Sequence, residues 1–169
     1  MTVSKASNYA VKLSRPREPA DGVEAASLQM GELSELLGYS LKRAQLKIFE
    51  DFLRCVAPLQ LTPAQFSVLL LLDKNPGRNQ TEIANTLGIL RPNFVAMLDG
   101  LESRDLCARM RSTNDRRSHI LVLTDKGRAV LARAKKLVAG KHEARLNELL
   151  GAEGRIALLE MLSKIAMEF

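Results

Sequence analysis

The stretch Leu121-Val122-Leu123-Thr124-Asp125-Lys126-Gly127-Arg128, with Asn114-Asp115-Arg116-Arg117 just before it, restricts this 169-residue chain more than any other. A short apolar run of strand length ends on a threonine able to cap a helix. A charged, turn-forming tip with two adjacent arginines precedes it. With Leu106 to Met110 as the outgoing strand, Ser112 to Ser118 as the tip and His119 to Leu123 as the return, the order is strand, arginine-tipped turn, strand, capped helix. A basic hairpin of this kind is suited to reaching along a DNA duplex.

The rest of the chain supplies helices. Residues 1–27 are polar and mixed in charge, with Pro16 and Pro19 and no sustained period, and are expected to form a flexible arm. Its Lys12, Arg15 and Arg17 read either as plain solvated charges or as phosphate contacts. From Leu33 to Val56 the apolar residues Leu41, Ala44, Ile48, Phe52 and Val56 recur at three- and four-residue steps, Leu37, Phe49 and Leu53 widen the stripe, and Pro58 stops it. Thr62, Pro63 and Gln65 spell a capping box with proline at the first helical position, and Leu61 and Phe66 are placed to form the hydrophobic staple. That second helix ends at Asn75-Pro76-Gly77. A short third helix begins at Asn79, with Glu82 completing a second capping box, and Gly88 terminates it.

A short helix, a tight turn at Gly88-Ile89-Leu90 and a fourth helix from about Pro92 make a helix-turn-helix. Phe94, Val95, Leu98 and Leu101 are the buried stripe of the fourth helix, leaving Asn93, Ala96, Met97 and Gly100 between them. Asp105 is expected in the left-handed conformation that glycine holds more cheaply. After the hairpin a long helix is expected from Thr124 towards Leu150, broken by Gly151, and a last helix over Ala152 to Phe169. The fold class is therefore mainly α with a small β-wing: a winged helix-turn-helix plus terminal helices that form a dimerisation domain. The expected divisions are 1–27 as the arm, 28–58 as dimerisation helix one, 59–123 as the DNA-binding domain and 124–169 as the C-terminal dimerisation helices. Terminal helices with wide apolar stripes need a partner surface, and a second copy is the economical one. The competing arrangement is a monomer whose tail helices fold back on its own core.

Composition narrows the partners. Hydrophobic content of 46% fits a folded protein, and a net charge of +6, from 25 Lys and Arg against 19 Asp and Glu, suits a polyanion. No apolar run reaches membrane-spanning length and no signal-peptide core is present, so no membrane partner and a cytoplasmic location are expected. Cys55 and Cys107 lie far apart without CxxC spacing, against a disulfide framework or a zinc site, so neither a metal nor a cofactor is expected. Both thiols read as inert. With no Trp and 4% aromatic residues, base-stacking platforms for single strands are disfavoured. His119 and His142 have no evident ligand or nucleophile partner in sequence, so catalytic residues are expected to be none and the chain is not read as an enzyme.

The fourth helix enters the major groove with its N-terminal residues leading, which makes Arg91, Pro92, Asn93 and Met97 the candidate contacts. Arg and Asn pair bidentately with guanine and adenine edges, although Asn93 reads equally as a helix-start residue. On the wing, Arg116 and Arg117 reach phosphates or a narrow minor groove, with one of them tied to Asp115 in an alternative reading. Arg111, Ser112, Asn114 and Ser118 supply further backbone contacts. A two-fold dimer predicts double-stranded DNA with a pseudo-palindromic operator and half-sites about 10 bp apart.

Several short pieces in this order resemble the MarR family of bacterial regulators: Leu37-Gly38-Tyr39, Leu61-Thr62-Pro63-Ala64-Gln65-Phe66, Asn75-Pro76-Gly77, Leu87-Gly88, Asp115-Arg116-Arg117 and Leu123-Thr124-Asp125-Lys126-Gly127. The likeness runs from about Leu33 to Phe169. It implies a homodimer with a winged helix-turn-helix in each subunit, usually a repressor relieved by a small, often aromatic, ligand. The departures are Asp105, where the family usually has glycine, and Arg91-Pro92, where small hydroxyl residues are common. Family ligands commonly sit between the dimerisation helices and the DNA-binding lobe. That makes Tyr39, Arg43, Lys47, Phe49, Phe52 and Phe66 the candidate set for an aromatic acid or its coenzyme A thioester, held through Arg43 or Lys47 unless these are snorkelling cations. The expected function is a sequence-specific repressor released by such an effector. The alternative is a winged-helix protein-interaction module without specific DNA binding.

Overall fold

The computed structural model describes residues 29–111 and 119–168. A 3-10 turn, Gly31–Glu35, leads into helix α1, Leu37–Val56, and a second 3-10 turn at Ala57–Leu59 carries Pro58. Then come α2 (Pro63–Lys74), α3 (Gln80–Thr86), α4 (Arg91–Ser103), β1 (Cys107–Arg111), β2 (His119–Leu123), α5 (Asp125–Leu137), a π-helical segment (Val138–Glu143) and α6 (Ala144–Glu168). The two strands pair antiparallel, with Arg109 opposite Leu121 at the centre of the register. The fold is mainly helical with a two-stranded wing.

Local chemistry explains the boundaries. Thr62 accepts from the Gln65 backbone while Gln65 reaches back to the Thr62 amide, and Asn79 with Glu82 repeats the arrangement, so both capping boxes form. Helices α3 and α4 both end in Schellman motifs. At α3 the left-handed residue is Gly88, with Gly88 N donating to Asn85 O at 3.1 Å and Ile89 N to Ala84 O at 2.9 Å. At α4 it is Asp105, φ 57°, with Asp105 N bonded to Glu102 O at 2.8 Å and Leu106 N to Leu101 O at 3.0 Å. Because the Leu106 amide is spent closing α4, the strand expected at Leu106–Met110 begins instead at Cys107.

Three further expected elements need correction. Helix one does not run unbroken from Leu33, because Leu36 is extended and separates the 3-10 turn from α1. The fourth helix includes Arg91, with Leu90 as the capping position and Pro92 in the first turn, so the break before proline falls one residue earlier than read. The long helix from Thr124 towards Leu150 contains the π segment, which the apolar period does not reveal. Gly151 does interrupt the helix beyond it, at φ 68° and ψ 171°.

The core draws on the middle of the chain. Val56, Leu61, Val68, Leu69, Phe94, Leu98, Leu101, Leu106, Leu121 and Leu131 are fully buried. Helix α6 is different: none of its residues is buried, and Leu149, Ile156, Leu159, Met161 and Met167 stand in solvent, as do Leu33, Leu36 and Leu37 at the other end of the chain. No single described helix is long and apolar enough to cross a membrane.

Candidate nucleic-acid interface and effector clefts

Helix α4 is held by its inner face. Phe94, Leu98 and Leu101 are buried against the core, Val95 and Met97 are half-buried, and Arg91, Pro92, Asn93 and Ala96 are exposed on the first turns. The structure thus brings Arg91, Pro92 and Asn93 together on one free edge, with Met97 partly covered. Arg111 is exposed at the end of β1. Ser112, Asn114, Arg116, Arg117 and Ser118 lie outside the described residues, as does the 1–27 arm.

The wing is fastened to this helix by one side chain that sequence reading missed. Arg109 on β1 donates to Asp99 at 2.7 Å and to Glu102 through its other guanidinium nitrogen, and its backbone amide donates to Glu102 at 2.8 Å. Asp99 and Glu102 are one turn apart on α4, so a single arginine spans both. On the other side, Leu121 N donates to Arg78 O at 2.8 Å and Asn79 bridges Ile120, tying the start of α3 to β2. Between these ties lies a cleft of about 530 Å³, lined by Asn79, Gln80, Thr81, Val95, Asp99, Arg109 and His119. Only the Asn79 cap had a local signal; the partners of Arg109 are set by strand register.

Helix α5 begins on the base of the wing. The Thr124 hydroxyl accepts from Gly127 N at 2.9 Å and donates to Asp105 O at 2.6 Å. Gly127 packs so closely that a Cβ there would overlap the carbonyl of Leu106. The Leu123-Thr124-Asp125-Lys126-Gly127 string is therefore a joint between α4, the wing and α5.

The candidate effector residues divide into separate places. Arg43 donates to the Tyr39 hydroxyl at 3.1 Å, and its guanidinium also stands 5.9 Å from the Tyr39 ring centre. Lys47 pairs with Glu50 at 3.2 Å. Phe52 is buried, its ring 5.5 Å from Phe66 and 5.6 Å edge-on from His142. Phe49 lines a predominantly apolar cleft of about 530 Å³ with Gly38, Leu41, Lys42, Ala44, Gln45 and Ile48 of α1 and Leu158 and Leu162 of α6. Tyr39, Arg43 and Lys47 are not among its walls.

Behind α1 lies a polar cluster. His142, on the π segment, is buried with its Nδ1 2.8 Å from Asp51 Oδ2, while Asp51 Oδ1 accepts from Arg145 and, at 3.3 Å, from Arg54. The His142 hydrogen bond, aided by Arg145 and Arg54, holds the Asp51 carboxyl below its ordinary range. Of the two thiols, Cys107 is buried, and desolvation, with Glu102 nearby, pushes it up to about 12. Cys55 is half-buried and donates to Leu137 O at 3.0 Å.

The MarR family model matches residues 61–119, which include α2, α3, α4 and the first wing strand. A Thauera aromatica protein assigned to regulation of the hcr operon is 30% identical over 88% of this chain and 89% of its own length. The chain belongs to the MarR family. Another relative, the HTH-type transcriptional regulator FarR of Neisseria gonorrhoeae, is 27% identical over 77% of the chain and 88% of its own. Among solved structures, the transcriptional repressor CouR bound to a 23-mer DNA duplex is 79% identical, with a TM-score of 0.80 over 83% of this chain and 99% of that one. CouR bound to p-coumaroyl-CoA matches at 78% identity and a TM-score of 0.80, over 84% of this chain and 99% of that one. This MarR-family chain is accordingly a DNA-binding transcriptional regulator, in a family of regulators rather than of enzymes.

Proposed function

We propose that this chain is a homodimeric, cytoplasmic repressor that holds a pseudo-palindromic operator and lets go when an aromatic acyl-CoA thioester binds. The observation that carries the reading is the 78–79% identity to CouR, a repressor whose structures hold a DNA duplex and p-coumaroyl-CoA. The geometry of this chain supports each part. Arg91, Pro92 and Asn93 offer one exposed edge to a major groove, with Met97 behind them, and Arg111 is exposed at the end of β1. The tip residues Ser112, Asn114, Arg116, Arg117 and Ser118, outside the described residues, are assigned to backbone contacts from their residue types alone. Residues 59–123 form the DNA-reading unit. Residues 28–58 and 124–169 form the dimerisation unit, because α6 and the approach to α1 expose apolar side chains that a second copy would cover.

The aromatic acyl group occupies the apolar cleft between α1 and α6, against Leu41, Ile48, Phe49, Leu158 and Leu162. A ligand wedged between the two dimerisation helices alters the separation of the recognition helices, and both half-sites are then no longer filled together. The test begins by selecting bound fragments from the source genome. Fluorescence anisotropy on the selected duplex then follows affinity against salt and against p-coumaroyl-CoA. Affinity should fall steeply with salt, removal of Arg116 or Arg117 should reduce the log–log slope by about one, and the effector should release the duplex. Sequence-blind retention, or no response to effector, would contradict the proposal.

A further inference from the structure

We propose that the cleft bounded by Arg54, Lys141 and Arg145 seats the phosphate groups of the effector, so that the coenzyme end of an aromatic acyl thioester is read as well as its acyl end. The inference rests on the effector reading above and deepens it. The cleft has a volume of about 250 Å³ and is lined by Asp51, Arg54, Cys55, Lys141 and Arg145. Its three cations face one carboxylate, and both oxygens of that carboxylate are already engaged, by His142 on one side and by Arg145 and Arg54 on the other. Asp51 therefore anchors two guanidinium groups at the rim, and the three cations outnumber the one carboxylate that lines the cleft. Lys141 is exposed and has no ion pair among the described residues. The nearby Glu143 is paired with Arg155 at 2.7 Å. Two guanidinium forks and an ammonium suit phosphate oxygens.

Position along α1 links this cleft to the apolar one. Ala44, Ile48, Asp51 and Cys55 follow one another at four-, three- and four-residue steps, which places them on one line down the helix. The first two line the apolar cleft and the last two line the cationic one. At the rise of an α-helix, Ile48 and Cys55 are separated by about 10 Å along the axis. A pantetheine arm is long and flexible enough to lie between them. Opposite α1, the π segment supplies Lys141 and α6 supplies Arg145, while His142 holds the π segment to Asp51, and π turns of this kind are frequent at functional sites.

The experiment is calorimetric titration of the full-length protein with two probes, p-coumaroyl-CoA and the p-coumaroyl thioester of N-acetylcysteamine, which lacks the phosphates. The wild type should bind the coenzyme A thioester at least tenfold tighter, by a margin that narrows with salt. Lys141→Ala and Arg54→Gln, at exposed side chains, should each weaken the coenzyme A thioester severalfold and leave the truncated thioester unchanged, with melting temperatures matched to the wild type. Variants that keep full affinity for the coenzyme A thioester would overturn the placement while the effector reading stands. Variants that lose both probes equally would overturn it as well, since the residues would then be merely structural. If the wild type binds neither probe, the effector reading and this inference fail together.

Discussion

Thr124 and Gly127 sit where three elements meet, and each is used for a property that few other residues have. The threonine hydroxyl both caps α5 and holds the carbonyl of Asp105, so Thr124→Ala should lower stability by about 1–2 kcal/mol, measured by urea unfolding. Gly127→Ala should be worse, costing about 3 kcal/mol or more, because the obstacle is the Leu106 backbone rather than a side chain that can turn aside. Asp105 tolerates its left-handed conformation through a short polar side chain. Substitution by valine there should destabilise, whereas Asp105→Gly should be neutral or better. Cys107, buried and protonated at neutral pH, should resist iodoacetamide in the folded protein and react only on unfolding. Rapid labelling of Cys107 in the native state would contradict that account.

Between elements, two ties set geometry. Arg109 fixes β1 to α4 through Asp99 and Glu102, so Arg109→Gln should weaken operator binding about tenfold by anisotropy while leaving the oligomeric state unchanged. The second tie joins α1 to the π segment through Asp51 and His142. Because the Asp51 carboxyl lies below its ordinary value of 3.8, its stabilisation is complete above that pH and disappears as acid protonates it. Asp51→Asn should therefore cost about 1–3 kcal/mol at pH 7, with the gap to wild type closing below about pH 4 in pH-dependent unfolding. These ties also mark the limit of what the sequence discloses. The caps of α2, α3 and α5, the Schellman residues Gly88 and Asp105 and the return strand are legible because each depends on neighbours within a few positions. Asp51 and His142 are 91 residues apart, and the π segment keeps an apolar spacing that suits an ordinary helix equally well. The candidate effector set rests on residue type along α1 and at Phe66 of α2, and the fold spreads it over separate places.

At the scale of the whole molecule, the unburied α6 is the dominant fact. A helical segment interrupted at Gly151 that fully buries none of its side chains, with Leu149 and Met167 each 78% exposed, is stable in water when a second surface meets it. A charge at Leu159, as in Leu159→Glu, should therefore break the assembly and operator binding together, read by sedimentation and anisotropy on the same sample. Effector action belongs to this scale too, since moving nearly all molecules from the bound to the released state needs about 5.5 kcal/mol of differential affinity. Sedimentation velocity of the complex on a selected operator duplex gives its stoichiometry. Two chains per duplex are expected, formed by a dimer that exists before DNA is added and dispersed by p-coumaroyl-CoA. A single chain per duplex, or binding to scrambled sequence with equal strength, would contradict a dimeric, sequence-specific repressor.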